Sequence, residues 1–270
     1  MNDTTSVYGG VSTGFKASAW NISRNSLPDA TETAALAAAG TPVGPNTGLG
    51  RRYADPEESE VVELGAKILL PTGYLNIAIF DQKIEGFQSN TFIGTGFVLA
   101  NAGSQSSDGF EFDLVVSPTE SIDLAISGLF MDPIYDSFPN SSAGDLTGTM
   151  PSNISEDTIS STVTWNWSSN NWDGYFRLSH LYASEAKMLE NPAWQSILEA
   201  AGNGIKTQDT LNFSAGLEKE NLSIMVWGKN INDDKYLISA FPAVADPTSS
   251  SFFGYPNAYR SYGLTINYMF

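Results

Sequence analysis

The apolar residues of this chain fall at every second position and never gather into a run of about 18, the length an apolar helix needs to cross a bilayer. Successive side chains of a β-strand point to opposite faces, so a period of two means a strand with one apolar and one polar side. The clearest case is the final segment, YRSYGLTINYMF. Tyr262, Leu264, Ile266, Tyr268 and Phe270 share one face, and Ser261, Gly263, Thr265 and Asn267 share the other. The pattern recurs. Leu211, Phe213, Ala215 and Leu217 alternate with Asn212, Ser214, Gly216 and Glu218. Ile159, Val163, Trp165 and Trp167 alternate with polar residues, as do Phe110, Phe112, Leu114 and Val116. Val62, Leu64, Ala66, Ile68 and Leu70 form a further apolar row, and Ile122, Leu124, Ile126 and Phe130 another.

This periodicity predicts strands near 5–15, 57–70, 73–86, 96–117, 120–132, 156–168, 172–185, 208–219, 221–231 and 259–270. Most are about as long as the roughly 9–11 residues a tilted strand needs to span a bilayer. Segment 96–117 is longer, and the glycines of NAGSQSSDG predict a bulge within a single strand. The connections alternate in length. LPTGY, SPTES, SSNNW and EKENL read as tight turns, and between them lie long segments near 16–56, 87–95, 133–155, 186–207 and 232–258. Short turns on one side and long loops on the other are the organisation of an outer-membrane barrel. The fold class read from the residues is therefore all-β, an antiparallel transmembrane β-barrel of about ten strands. Two loops carry helical signals. TETAALAAAG is alanine-rich. NPAWQSILEAAGNG has proline near its start and glycine beyond its end, and the spacing of Trp194, Ile197 and Leu198 predicts packing within the loop.

Composition removes several classes of function. The net charge is −17, with 30 acidic and 13 basic residues, and lacks the basic stripe a nucleic-acid partner requires. There is no cysteine and one histidine, so disulfides, thiolate zinc sites and multi-histidine metal centres are excluded. No phosphate-binding glycine loop or nucleophile motif occurs, and neither a catalytic residue, a metal ligand nor a cofactor is assigned. His180 alternates with Phe176, Leu178 and Tyr182 and reads as a structural residue near the outer end of a strand. NINDDKY holds clustered oxygens, but it lacks the spacing, glycine and distal glutamate of a calcium loop. It reads as the entry to a loop, and Asp55, Glu57, Glu58 and Glu60 read as a solvated rim.

The aromatics Trp165, Trp167, Trp172, Tyr175, Tyr262, Tyr268 and Phe270 lie near strand ends, as expected of side chains at a membrane–water boundary. Backbone groups in lipid must all be paired, so ten strands either close on themselves or continue into further strands. The start, MNDTTSVYGG, carries no secretory signal, which an outer-membrane protein requires, so the sequence is expected to begin inside a longer protein. Two alternatives stay open at this point. One is a complete ten-stranded barrel acting as a passive pore or an enzyme. The other is a soluble carbohydrate-binding β-sandwich.

Several segments resemble the TonB-dependent outer-membrane receptors. YGGVSTGFKASAWN is similar to the strand-to-loop segment in which the family carries GFK or GFR, and YADPEESEVVELGAK to its stretch leading into E-x-G-x-K. NAGSQSSDGFEFDL resembles the N-x-G…S-x-G-x-E segment. WGKNINDDKY resembles N-L-x-D-x-x-Y, with Ile231 in place of leucine, and YRSYGLTINYMF the terminal strand ending in phenylalanine. The resemblance implies that residues 1–270 are the C-terminal part of a 22-stranded barrel with a plugged lumen. It implies a Gram-negative outer membrane and uptake of a scarce nutrient such as a ferric siderophore, cobalamin, haem or a glycan. The implied partners are outer-membrane lipid, a small-molecule or metal-chelate ligand, and the barrel-assembly machinery acting on the strand that ends at Phe270. The TonB complex would act through an N-terminal region not present in the sequence. Ligand contact would fall to the long loops and upper lumen, with Trp20, Arg51, Arg52, Trp194, Phe252, Phe253 and Tyr255 as candidates.

Overall fold

The computed structural model describes residues 4–20, 30–31, 34, 53–93, 96–101, 103–139, 141, 144–243 and 251–270, without the side chains of 90–93, 96–100 and 242. Arg51 and Arg52, and nearly all of TETAALAAAG, lie outside the described residues. In chain order the strands are β1 (Thr5–Lys16), β2 (Ala19–Trp20), β3 (Tyr53–Ala54), β4 (Glu57–Leu70), β5 (Gly73–Glu85), β6 (Gln88–Ile93), β7 (Gly96–Asn101) and β8 (Ser104–Thr119). They continue as β9 (Ile122–Ser137), β10 (Asp157–Ser169), β11 (Trp172–Lys187), β12 (Ile205–Lys219), β13 (Leu222–Lys229), β14 (Leu237–Pro242), β15 (Phe252–Pro256) and β16 (Ser261–Tyr268). A helix, α1 (Pro192–Ala200), precedes β12.

Ten of these strands form one antiparallel sheet in the order β1-β4-β5-β8-β9-β10-β11-β12-β13-β16. All ten predicted strands are present. One differs from its prediction. Segment 96–117 is two strands rather than one bulged strand, for β7 leaves the sheet to pair with β6 as a separate hairpin, and only β8 joins the wall. Two more short pairs, β2–β3 and β14–β15, lie within the other long connections.

The four tight turns lie at one edge of the wall. Ser117 N–H donates to the Thr72 carbonyl (2.8 Å), Asn166 N–H to that of Ser121 (2.7 Å) and Met269 N–H to that of Asn221 (3.0 Å). Asn170 and Asn171 both take positive φ, 53° and 62°, the twist that matches a two-residue turn to right-twisted strands. The chain's end therefore sits on the short-turn side and every long connection on the other.

The wall's two faces are set by register. Leu222, Ile224 and Val226 stand opposite Tyr268, Ile266 and Leu264. The same row continues through Phe213, Ala215 and Leu217, Phe176 and Leu178, Val163 and Trp165, and Leu124 and Ile126. It reaches Phe112 and Leu114, Ile77 and Ile79, Leu64 and Val7. Among the described residues no second layer covers this face: Leu264 is 61% and Ile266 60% exposed. A soluble β-sandwich buries such a face under a second sheet; the single sheet overturns that alternative. Among the described residues no ladder joins β1 to β16, so the wall is not closed into a ten-stranded barrel. β1 rises from the short-turn side and β16 returns to it, so its two outermost strands are antiparallel to one another.

Aromatics pack along the wall by leaning over glycines on neighbouring strands. Tyr8 lies over Gly65, where an added Cβ would stand 2.5 Å from the ring, and Trp227 covers Gly263 in the same way. Phe110, Phe112 and Phe130 form a ring cluster on the apolar face, with centroids 6.1–6.4 Å apart.

Candidate functional site

Above the apolar face the strands continue past the roughly 9–11 residues a bilayer needs, and the long connections fold over their ends into a platform with small cores of its own. Tyr135, Phe138 and Leu146 form one core, with Phe87 against it. Met188, Leu198 and Ala240 form the second, covered by Leu189, Leu237 and Phe252. Polar side chains bind the segments together. Glu190 Oε1 accepts from the Tyr135 hydroxyl (2.9 Å), Ser152 N–H (3.0 Å) and the Ser152 hydroxyl (3.1 Å). Burial, then the Glu190 carboxylate, pushes the Tyr135 phenol well above its ordinary value. Gln195, 4% exposed, accepts from Met188 and Leu189 N–H (3.2 and 2.9 Å) and donates to the Gly204 carbonyl (2.6 Å). Asn191 caps α1 by accepting from Ala193 and Trp194 N–H, as a helix start of this kind requires.

The NINDDKY segment is the densest of these junctions. Asn230 is 2% exposed and sits in the left-handed region at φ 50°, which asparagine tolerates. Its amide nitrogen donates to the carbonyls of Asp234 (2.8 Å) and Ala258 (3.0 Å), and its Oδ1 accepts from Asp234 N–H (2.8 Å). Its own N–H donates to Asn212 Oδ1 (2.9 Å). Asp234 Oδ2 accepts from Asp209 N–H (2.8 Å), and Asn232 bridges to Asp209 and Leu211. Asn257 completes the clasp between Asp234 and Tyr236. The clustered oxygens of this segment are thus engaged in joining the ends of β12 and β13 to the segment before β16. Among the described residues no group of three His, Asp or Glu is disposed to hold a metal ion.

The β14–β15 hairpin has two unlike faces. Ala240 and Phe252 turn inward to the core around Met188 and Leu198. Phe241, Phe253 and Tyr255 face outward, 41%, 57% and 56% exposed. The Phe241 ring lies 5.8 Å from Phe253 and 5.7 Å from Tyr255. Of the predicted ligand contacts, Phe253 and Tyr255 therefore share an open surface, while Phe252 packs into the platform. Phe241 belongs to that surface and was not singled out in the sequence; its pairing with Phe253 depends on a register no local pattern reveals. Trp194 is half-buried on α1. Trp20 pairs with Tyr53 (5.2 Å) on the β2–β3 hairpin, and Trp20 is 64% exposed.

Five of the seven predicted boundary aromatics, Trp165, Trp167, Trp172, Tyr262 and Tyr268, fall on the apolar face, and Phe270 lies just past β16 with its ring 5.2 Å from that of Tyr268. Tyr175 does not share that face. Register pairs it with Asn166 and Gly216, on the polar face, where its ring covers Gly216. Trp172 sits by the short turns under the Lys219 ammonium (5.6 Å). His180 bonds Asp209 at 2.6 Å at the outer end of the apolar face.

The polar face is lined by Ser, Thr and Asn together with charged groups. Asp123 accepts from the Ser117 hydroxyl (2.6 Å) and the Asn166 amide (2.8 Å). Asp173 accepts from Ser168 (2.6 Å), and Arg177 Nε donates to Thr164 (3.1 Å). Higher up, a cavity of about 400 Å³ is bordered by Glu63, Gln82, Gln105, Ser107 and Glu111 together with Phe80, Leu129 and Met131, with Ile154 from the platform at its edge. One apolar surface, one face rich in polar side chains and an outer platform define the wall of a transmembrane β-barrel.

A sequence model described as "TonB dependent receptor-like, beta-barrel" matches residues 1–231. The chain belongs to this family, whose members reside in the outer membrane of Gram-negative bacteria. Solved structures share the fold. The ferric yersiniabactin uptake receptor FyuA from Yersinia pestis superposes with a TM-score of 0.71 at 19% identity, over 99% of this chain and 35% of that one. The ferric-catecholate import receptor Fiu from E. coli K12 gives 0.66 at 15% identity, over 100% and 34%. The siderophore receptor PiuA from Acinetobacter baumannii gives 0.64 at 16%, over 99% and 34%. The chain thus spans about a third of the length of these structures. No curated protein sequence matches it.

Proposed function

We propose that the chain supplies the C-terminal ten strands and outer loops of an active importer for a metal chelate, with ferric complexes the leading class. The observation that carries the reading is a wall with one apolar face and one rich in polar side chains, crowned by an outer platform with exposed aromatics. The receptors it resembles are those for ferric yersiniabactin and ferric catecholates, alongside a copper transporter. In this reading β1 and β16 pair with further strands of the same polypeptide, an even number because the two edges run antiparallel. A plug fills the hydrated interior and is moved by the TonB complex. The strand ending at Phe270 is the segment handed to the assembly machinery, and the apolar face contacts lipid. Deleting the gene from its host and measuring radioiron uptake under iron limitation tests the reading. Loss of uptake of at least one ferric chelate is expected; undiminished uptake of every chelate the host can use contradicts it.

A further inference from the structure

The apolar face has an apolar groove with a like-charged row at its outer end. The groove has a volume of about 260 Å³ and is lined by Val7, Leu64, Ala66, Ile77, Ile79 and Phe110. Ala66 is its small residue, standing in register between Val7 of β1 and Ile77 of β5. Two residues outward from Ile79 and Phe110, on the same face, come Asp81 and Asp108, and Asp132 follows Phe130 in the same way. Register sets Asp81 directly opposite Asp108, and Asp108 directly opposite Asp132. All three are exposed. Side chains opposed in this way start about 4.5–5.5 Å apart at Cβ, and like charges there repel.

The surroundings do not answer this charge. The same edge continues in Glu58, Glu60 and Glu85, and in Asp136, which accepts from the Ser106 hydroxyl (2.8 Å). Lys83 is its one cation among the described residues of β4, β5, β8 and β9. It stands opposite Glu60 and is held by Glu85 at 2.6 Å. A molecule lying in the groove would thus be apolar along its length and meet carboxylates at its outer end, which is the shape and polarity of a lipid. A bare phosphate headgroup would be repelled there. Among the described residues no three acidic groups are disposed to hold a metal ion that could bridge to one. An ammonium is a compact charge with several N–H donors, and it suits a gap between opposed carboxylates. Resting on the reading above that lipid covers the apolar face, we propose that this groove docks a lipid whose headgroup carries an ammonium group. The acyl chain lies against Ala66, and the ammonium sits among Asp81, Asp108 and Asp132.

The test is native mass spectrometry of the receptor polypeptide purified from its host's outer membrane in mild detergent. It is titrated with phosphatidylethanolamine and with phosphatidylglycerol of the same acyl chains, each with and without magnesium. Phosphatidylethanolamine is expected to bind about tenfold more tightly, with the gap narrowing as salt is added. Replacing the three residues together, Asp81→Asn, Asp108→Asn and Asp132→Asn, is expected to erase that preference. Ala66→Phe fills the groove and is expected to weaken phosphatidylethanolamine binding about tenfold. Phosphatidylglycerol bound as tightly, with or without magnesium, overturns the proposal. So does a triple variant that keeps the preference, or an Ala66→Phe variant that binds like the parent. Equal binding of the two lipids leaves the lipid-facing reading standing, whereas binding of neither counts against that reading as well.

Discussion

The platform and the wall are built from the same residue types but are stabilised in different solvents. In the platform, Leu198 is 4% exposed and Asn230 2% exposed; apolar groups cluster and polar groups are paired, as in a water-soluble protein. In the wall, Leu264 is 61% exposed and packs under nothing, because hydrocarbon is to be its neighbour. Burial within the protein therefore measures stability only in the platform. In the wall the ordering principle is parity, with one face almost wholly apolar and the other mixed, its polar residues interspersed with Tyr8, Phe80, Met131, Tyr175 and Trp227. A side chain's value there depends on which solvent it meets, not on how many protein atoms touch it.

Substitutions that separate the two regimes sharpen this contrast. Leu198→Ala leaves a cavity in the platform and is expected to cost about 2–5 kcal/mol of local stability. Hydrogen exchange should show lost protection across 188–204 with the amides of β9–β12 little changed. Leu264→Arg places a charge on the apolar face and is expected to cost about 2–4 kcal/mol, while Thr265→Arg, one residue on, costs about 1 kcal/mol or less. Denaturant titration in lipid vesicles measures both, and equal costs would break the contrast. Asn230→Ala leaves the carbonyls of Asp234 and Ala258 without their donor and is expected to cost about 1–3 kcal/mol. It should appear as faster exchange at Asp234 and Tyr236. The smallest effect is one of pH. Folding raises the Tyr135 phenol above its ordinary value, so the platform holds the protonated form more tightly than the unfolded chain does. That stabilisation is complete below about pH 10 and is lost as pH rises from there through the raised value. Alkaline loosening of the platform is expected, and Tyr135→Phe should remove it.

The wall was largely legible because its rule is local. A two-residue period, four tight turns and five long connections located all ten strands. The face of each residue follows from the same parity, and Tyr175 could have been placed by it: it alternates with Phe176 and Gly174 and so joins Asp173 and Arg177. Segment 96–117 misled because the glycines of NAGSQSSDG read as a bulge within one strand, whereas β7 pairs with β6 outside the wall and only β8 joins it. The platform was barely legible. Its structure depends on contacts distant in sequence, such as Glu190 with Tyr135 and Ser152, or Phe241 with Phe253. NINDDKY was read as a loop entry, which it is, but the side-chain hydrogen bonds of Asn230 could not be foreseen without its partners Asp234 and Ala258.

The central claim is that hydrocarbon lies against one face of this wall and water against the other. The chain has no cysteine, so single cysteines introduced at 264, 265, 266 and 267 can each carry one environment-sensitive dye without background. In vesicles containing brominated lipid, dyes at 264 and 266 are predicted to be strongly quenched and those at 265 and 267 to respond instead to a water-soluble quencher. Quenching that fails to alternate between these neighbours would contradict the account.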